Sequence, residues 1–274
     1  MFFSENLIKK SKISHCFFSK KNGVSKNFYK SLNCGIGSGD KKTNVIKNLR
    51  IVSKKIGCKY KNIVTMRQVH SNKVLYIGKN SKIKKKIICD AILTNKKKIC
   101  IGILTADCVP VLIYDPIKGI VGAIHSGWRG VYKGIIQNTL KKLLKLGSQK
   151  KNLIIAIGPC ISQKNYEVGS KFFDKFLHKS KINKIFFNKK NHKYFFNLRK
   201  YVEYQFKLNH IKNIKHINRN TFQDKKNFFS RRRSLFDNHS DYGRNISVIM
   251  INLAFTIIHE ITFRYRKFRV KQEN

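Results

Sequence analysis

The segment CIGILTADCVPVLIYDPIKGIVGAIHSGWRG, residues 100–130, predicts the centre of the fold. Its apolar runs at 100–104, 109–114 and 120–124 are short, rich in β-branched residues and bounded by turn residues, which is typical of buried strands. The segment holds a single lysine, Lys118, although lysine is abundant elsewhere in the chain. We therefore expect three buried strands here.

Strands and helices alternate on both sides of this segment. The expected helices span 45–56 (closed by Gly57), the region from the 125–130 loop to about Leu146, 195–208, and the region from Gly243 onward. The apolar run 246–258 within the last of these is typical of a buried helix. Further strands are expected at 62–68, 73–77 and 153–157. This alternation predicts an α+β (mixed α/β) fold.

The domain organisation follows from what the chain lacks. No internal repeat and no low-complexity linker divides it, so residues 1–274 are expected to form a single domain. Residues after about 253 are expected to add a C-terminal helix or a tail.

Composition limits the class of protein. The chain has 274 residues, a formal charge of +46 and 42% hydrophobic residues, which is enough apolar material to exclude a disordered chain. The dense charge leaves open a nucleic-acid-binding module, which predicts strong, salt-sensitive binding. The lysines are scattered in short runs, however, and accompany abundant Asn, Ile and Phe, as in an AT-rich genome. Without an RNP motif, a zinc finger or a basic amphipathic stripe, we expect a solvated basic surface and no specific nucleic-acid partner.

The sequence also predicts a cytoplasmic protein without a membrane segment. Its seven cysteines are irregularly spaced and include no C-x-x-C pair, which argues against a disulfide framework. Residues 1–12 lack the sustained apolar core of a secretory signal. The apolar run 246–258 is too short to cross ~30 Å of hydrocarbon.

Three potential metal ligands stand at the ends of apolar strands: His70, Cys108 and His125. Two imidazoles and one thiolate suit zinc, and three protein ligands leave a fourth position for water or substrate. Their wide spacing leaves open the alternative of core histidines and an inert buried thiol. Copper is possible but less favoured, because no Met follows the Cys–His pair at short range and no H-x-H pair occurs.

The motifs TADCVPV (105–111), HSGWRG (125–130) and IGPCI (157–161) resemble those of the bacterial laccase-domain proteins. That family was once described as polyphenol oxidases and is now understood as zinc-dependent purine nucleoside phosphorylases. Matches at QVH (68–70), YEVG (166–169) and FSRRR (229–233) extend the resemblance over most of the chain. The resemblance implies a layered α-β-β-α fold with mixed sheets. It also implies that the residues at the matching positions, His70, Cys108 and His125, bind the metal.

The activity implied by the resemblance is cleavage of adenosine, inosine and S-methyl-5′-thioadenosine by phosphate, giving base and (methylthio)ribose 1-phosphate, together with deamination of adenosine. Purine nucleosides and phosphate are the expected partners, and both a monomer and a homodimer stay open. Because a guanidinium can pair two phosphate oxygens, Arg129 is the first expected phosphate ligand and Arg232 and Arg233 are the next. Asp107 is expected either to shuttle protons or to cap a turn. Asn33 and Gln68 are expected to bind substrate or support the site, or else to form turns.

A second reading places the chain among cysteine hydrolases or deamidases. There Cys108 would be the nucleophile, His125 the base and Asp107 the third member. A copper-dependent polyphenol oxidase is disfavoured for the reasons given above. Metal binding separates the first two readings, because a ligated thiolate is not free to attack a substrate.

Overall fold

The computed structural model describes residues 1–83 and 86–253. The helices are α1 (Glu5–Ile8), α2 (Lys42–Ile56), α3 (Trp128–Tyr132), α4 (Ile135–Lys145), α5 (Ser170–Lys179), α6 (Leu198–Leu208) and α7 (Arg231–Phe236). The strands are β1 (Ile13–Phe17), β2 (Ile63–Val64), β3 (Val74–Ile77), β4 (Ala91–Thr94), β5 (Cys100–Thr105), β6 (Val109–Asp115), β7 (Ile120–Ser126), β8 (Ile154–Ile157), β9 (Glu167–Val168), β10 (Phe187–Lys190), β11 (Lys193–Phe196), β12 (Asn213–His216) and β13 (Asn245–Ile251).

The strands form two main sheets and one small sheet. The four-stranded sheet has the order β1-β13-β5-β2 and the six-stranded sheet the order β12-β8-β6-β7-β4-β3. The small sheet has the order β10-β11-β9. Both main sheets are mixed, because β2–β5, β3–β4 and β12–β8 are parallel pairs while the other pairs are antiparallel.

The two main sheets pack face to face, with helices on both outer faces. Strand β6 shows the arrangement: Leu112 and Tyr114 join the core between the sheets, while Val111 and Ile113 join the core under the helices on the other face. Successive side chains of a strand point to opposite faces, so a strand buried on both sides is apolar throughout. Helices α4 and α6 cover this outer face, and α2 covers the four-stranded sheet. The α-β-β-α layering and the mixed sheets are thus confirmed.

Helix α2 illustrates a local prediction that is confirmed. Val45, Leu49, Val52 and Ile56 recur at helical spacing and are all buried against the four-stranded sheet. Gly57 ends the helix in the left-handed conformation (φ +82°), and its N–H donates to the Ser53 carbonyl.

The helix predicted from Gly243 onward is wrong, because residues 245–251 form strand β13. This strand pairs antiparallel with β1 on one side and with β5 on the other, at the centre of the four-stranded sheet. Every one of its residues is buried. A central strand with both faces covered reads as a continuous apolar run, which periodicity alone does not distinguish from a buried helix. The expected extra helix or tail after residue 253 lies outside the described residues.

Smaller differences between the expected and the observed helices and strands have local causes. The helix expected after the 125–130 loop is divided into α3 and α4, because Gly134 adopts a left-handed conformation (φ +90°) between them. The helix expected from residue 195 begins at Leu198, since β11 extends to Phe196 and the Asn197 side chain accepts from Lys200 N at the helix start. Within the expected strand at 62–68, only Ile63–Val64 pairs with a neighbour as a strand. No helix in the described part of the chain is long and apolar enough to cross a membrane.

Candidate metal centre

Three side chains with metal-binding atoms meet at one edge of the sheets. His70 lies in the loop between β2 and β3, Cys108 in the turn between β5 and β6, and His125 near the end of β7. Because Pro110 lies opposite His125 in the antiparallel β6–β7 pair, Cys108 is brought beside the end of β7. The ligand atoms of His70, Cys108 and His125 all lie within 4.8 Å of one another. Among the described residues, they form the one group of three His, Cys, Asp or Glu side chains close enough to share a metal ion.

Asp90, directly before β4, holds two of these ligands in place. Its carboxylate lies 2.8 Å from Nδ1 of His125 and accepts from the backbone N–H of His70 at 3.0 Å. It also accepts from the N–H and the hydroxyl of Ser71, at 2.6 and 2.7 Å, and from Val69 N at 3.3 Å. With Nδ1 of His125 committed to Asp90, Nε2 is the nitrogen left to face Cys108 and a metal. A carboxylate bonded to the second nitrogen of a ligating histidine is a recurrent support of metal sites.

The charges of the site follow from burial and from these contacts. Burial alone would lower the pKa of His125, but its interactions with Cys108 and with the Asp90 carboxylate outweigh burial and raise the pKa to about 9. Burial lowers the pKa of His70 to about 4, and repulsion from His125 adds to the shift. Burial would raise the pKa of Asp90, but hydrogen bonds from His125 and Ser71 hold it at about 2. The site therefore joins a buried carboxylate and a cysteine sulfur to two histidine side chains, a donor set that suits a divalent cation.

The residues present fit a zinc ion. Nδ1 of His70 is buried and has no hydrogen-bond partner among residues 1–83 and 86–253, which leaves it for a ligand. Gly127 leaves the space beside it open: a Cβ there would lie 2.5 Å from Nδ1 of His70 and 3.1 Å from Sγ of Cys108. Histidine nitrogen and cysteine sulfur are both zinc ligands, and a catalytic zinc site has three protein ligands and an open fourth position.

Asp107, beside the Cys108 ligand, points its carboxylate away from solvent into the start of α7. It accepts from the hydroxyls of Thr221 (2.7 Å) and Ser230 (2.9 Å) and from the backbone N–H of Arg232 (2.7 Å). Its backbone is left-handed (φ +85°), which costs a residue with a side chain about 1–3 kcal/mol unless its surroundings hold it there. These three hydrogen bonds hold the Asp107 side chain, so that Asp107 joins the Cys108 turn to the start of α7.

Two arginines with free guanidinium groups lie near the histidine ligands. Arg129 and Arg231 are both exposed, and no hydrogen bond or ion pair holds either guanidinium within the described chain. Both charges depress the pKa of His70, after the larger effects of burial and of its charged neighbours. The Arg129 guanidinium also lies 5.1 Å over the Trp128 ring. Arg231 was not among the expected site residues.

The other two arginines of the RRR run are engaged in the fold. Arg233 is 9% exposed, and its guanidinium donates to the backbone carbonyls of Thr221, Phe222 and Phe228. Arg232 donates to the Glu167 carbonyl at 3.0 Å. The Arg233 guanidinium is thus used by three backbone carbonyls. Substrate binding by Arg232 or Arg233 stays a prediction.

The two expected substrate amides are also engaged. Asn33 is fully buried, donates to Ser38 and Asp40, and accepts from the backbone N–H groups of Gly35 and Arg244. Gln68 exchanges two hydrogen bonds with the backbone of Leu104, at 2.7 and 2.8 Å, as a strand neighbour would. Gln68 therefore anchors the His70 loop to β5. Contact of either amide with substrate stays a prediction.

Sequence reasoning missed Asp90 and Tyr166 as parts of the site. Arg232 lies 5.4 Å over the Tyr166 ring, and burial, followed by the nearby Cys108 side chain, raises the pKa of the Tyr166 hydroxyl above its usual range. The available signal was the rarity of acids, since Asp90 is one of only 13 acidic residues in the chain. Tyr166 lies inside the matched segment YEVG (166–169), but a tyrosine does not stand out by composition in a chain with 12% aromatic residues.

Comparisons with known proteins agree on one family. The sequence profile described as multi-copper polyphenol oxidoreductase laccase matches residues 14–252. A protein of Rickettsia conorii named purine nucleoside phosphorylase is 36% identical over 213 residues, covering 75% of this chain and 86% of the relative. One of Bacteroides thetaiotaomicron with the same name is 34% identical over 180 residues, covering 63% and 67%.

Solved structures match the fold. A Neisseria meningitidis protein aligns with a TM-score of 0.80 and 26% identity, covering 92% of this chain and 99% of that one. The hypothetical protein YfiH of Bacillus licheniformis aligns with a TM-score of 0.83 and 24% identity, covering 89% and 94%. With the profile matching residues 14–252 of 274, the chain belongs to the family described as multi-copper polyphenol oxidoreductase laccase.

Proposed function

We propose that this chain is a zinc-dependent purine nucleoside phosphorylase acting in the cytoplasm. The observation that carries the proposal is the convergence of His70, Cys108 and His125, whose ligand atoms lie within 4.8 Å of one another. The names of the relatives supply the reaction class, because the Rickettsia and Bacteroides proteins are both called purine nucleoside phosphorylases. Adenosine, inosine and S-methyl-5′-thioadenosine are the proposed substrates, with phosphate as the second substrate.

Phosphorolysis places two demands on the protein. Phosphate must be held next to C1′ of the ribose while that carbon develops positive charge, and the leaving purine must be stabilised. Arg129 and Arg231 meet the first demand in this proposal, because their guanidinium groups are free and lie near the histidines. Arg232 donates to the Glu167 carbonyl and lies over the Tyr166 ring, and these contacts fix its position beside Arg231.

The metal-binding residues have defined tasks. Asp90 fixes the ring of His125 and the backbone at His70, so that the ligand nitrogens need little rearrangement. Zinc, when bound, supplies a Lewis acid that polarises a substrate oxygen or nitrogen.

Deamination of adenosine is a further proposed activity, in which Asp107 carries protons. Both Asp107 oxygens accept hydrogen bonds, from Thr221 on one and from Ser230 and Arg232 N on the other. Proton transfer there requires one of these bonds to open. An Asp107→Asn variant separates the two activities: deamination falls while phosphorolysis, which needs no proton from Asp107, is largely retained.

A Cys–His hydrolase is the second candidate, and one observation favours it. His125 lies between Cys108 and Asp90 and is bonded to Asp90 at 2.8 Å, as a base oriented by a carboxylate would be. The acid of such a triad is Asp90 and not Asp107, which turns toward α7. Alkylation distinguishes the candidates in a Cys58→Ala background, since Cys58 and Cys108 are the two cysteines that are not buried. Zinc protects Cys108 from iodoacetamide if it is a ligand.

The decisive test is direct. The purified chain is incubated with each nucleoside, with and without phosphate, and bases and sugar phosphates are separated while zinc is measured on the same sample. His70→Ala, Cys108→Ala and His125→Ala should lose both zinc and phosphate-dependent cleavage. His178→Ala and Cys58→Ala are matched controls away from the site and should keep both. Full phosphorolysis by a zinc-free variant contradicts the proposal.

A further inference from the structure

A large cavity of the described chain lies outside the metal centre. It has a volume of about 890 Å³ and opens between α6, β12 and the small three-stranded sheet. None of the three metal ligands lines it. We call it the Arg199 cleft, and its charged lining residues are Lys164, Lys190, Arg199, Lys200, Glu203 and His216.

The Arg199 cleft carries an uncompensated positive charge. Within residues 1–83 and 86–253, no carboxylate lies within 4 Å of its three lysines or of Arg199. Its one acid, Glu203, is engaged by Lys207 at 2.6 Å and by His216 at 3.3 Å. Four cationic side chains that line one cavity, with no carboxylate of the described residues within 4 Å of them, predict an anionic ligand.

Arg199 is held rigidly enough to act as a recognition group. Its Nε donates to Sγ of Cys160 at 3.2 Å, one terminal nitrogen donates to Asn218, and the other donates to the Arg219 carbonyl at 2.7 Å. These bonds orient the guanidinium plane while leaving its charge without an acid. A planar, oriented guanidinium is the group that proteins use for phosphate oxygens.

The other residues that line the Arg199 cleft indicate a ligand larger than a phosphate ion. The side-chain amide of Asn188 and the NH₂ group of Asn218 face the cleft without a partner in the described chain, and Phe195 adds an apolar surface. Amides that both donate and accept suit hydroxyl groups. A cavity of about 890 Å³ is in the range of small-molecule sites and far exceeds the volume of one phosphate ion.

We propose that the Arg199 cleft binds the phosphate monoester of a sugar at a site separate from the metal centre. The phosphate lies among Arg199, Lys164, Lys190 and Lys200, and the sugar hydroxyls face the free amides. The two sites are neighbours, because Ile161, which lines the cleft, donates its N–H to the carbonyl of Asp107 beside Cys108. The inference does not depend on the metal centre catalysing phosphorolysis.

Isothermal titration calorimetry of the full chain with ribose 5-phosphate, inorganic phosphate and ribose tests this. The double variant Lys164→Gln/Lys190→Gln removes two exposed charges from the cleft, and Lys141→Gln/Lys145→Gln removes two exposed charges from α4 as the control. We expect ribose 5-phosphate to bind about tenfold more weakly to the cleft variant and within about twofold of wild type to the control. His70→Ala should bind as wild type does, and ribose alone should not bind.

Three results would overturn the proposal. Equal weakening in both double variants would show that the overall charge of the chain attracts the ligand. Loss of binding in His70→Ala would place the ligand at the metal centre. Inorganic phosphate binding as tightly as ribose 5-phosphate would exclude a site for the sugar.

Discussion

Replacing Asp90 by asparagine tests whether a single buried carboxylate assembles the metal centre. Five donors converge on its two oxygens: His70 N and His125 Nδ1 on one, and Val69 N, Ser71 N and Ser71 Oγ on the other. Asparagine keeps the shape but offers one oxygen and one NH₂ group, so one set of donors must face another donor. Because Asp90 is fully buried, water cannot replace the lost acceptor.

The expected loss of stability and of zinc affinity follows from how the new side chain is oriented. If the amide oxygen stays with Ser71, the NH₂ group faces His70 N–H and Nδ1 of His125. His125 then accepts only as the tautomer protonated on Nε2, which is the nitrogen needed for a metal. At least two hydrogen bonds to a charged group are lost, at about 1.5–3 kcal/mol each, so metal-free protein should lose about 3–6 kcal/mol of unfolding free energy. Zinc affinity should fall about 10- to 100-fold.

Urea denaturation of the metal-free protein and a competitive zinc titration measure the two effects. Ser71→Ala is the matched control, because it removes one of the five donors and keeps the carboxylate. It should cost about 1 kcal/mol and leave zinc affinity within about threefold. Wild-type zinc affinity in Asp90→Asn would refute the reasoning, since it would show that the tautomer of His125 is set by something other than Asp90.

Gly127→Ala should reduce zinc affinity at least about tenfold, because its methyl would lie 2.5 Å from the nearest imidazole nitrogen, whereas Gly169→Ala, with open space around it, should leave zinc titration unchanged. Arg129→Gln and Arg231→Gln should each raise the KM for phosphate about tenfold without loss of zinc, and unchanged phosphate kinetics in both would remove them from the phosphate site. His15 has its pKa lowered to about 4 by burial. The unfolded chain therefore binds this proton first, and stability falls by about 3 kcal/mol between pH 6.5 and 4; His15→Gln should flatten that part of the unfolding curve, and an unchanged slope would exclude this source.

The local elements were predictable where the signal was local. Helix α2 follows from four apolar residues at helical spacing and from Gly57 at its end, both properties of neighbouring residues. Strands β6 and β7 were predicted to within one or two residues, because turn residues separate their apolar runs. Strand β13 was mistaken for a helix, because its partners β1 and β5 are more than a hundred residues away in sequence and only their pairing selects the extended form.

The candidate site was predictable in part, for a similar reason. Resemblance to a family named the three metal ligands, and the structure brings their donor atoms together. The roles of the residues around these three side chains could not be named from the resemblance. Asn33, Gln68 and Arg233 were expected to bind substrate. In the structure Asn33 and Gln68 bond to backbone groups of distant segments, and Arg233 bonds to carbonyls five to twelve residues before it. A sequence shows which side chains can form hydrogen bonds, but it does not show which groups they bond to in the folded chain.

The sequence by itself determined the mixed α/β class and the buried character of residues 100–130, because these depend on residue type and short-range pattern, while a resemblance to a family named the expected metal ligands. Only the tertiary structure decided that Asp90 orients the ligands, that Asp107 turns toward α7, and that Arg129 and Arg231 keep free guanidinium groups. The physical reason is that a buried polar group must find a hydrogen-bond partner, and that partner comes from whichever segment the packing of the two sheets brings within about 3 Å.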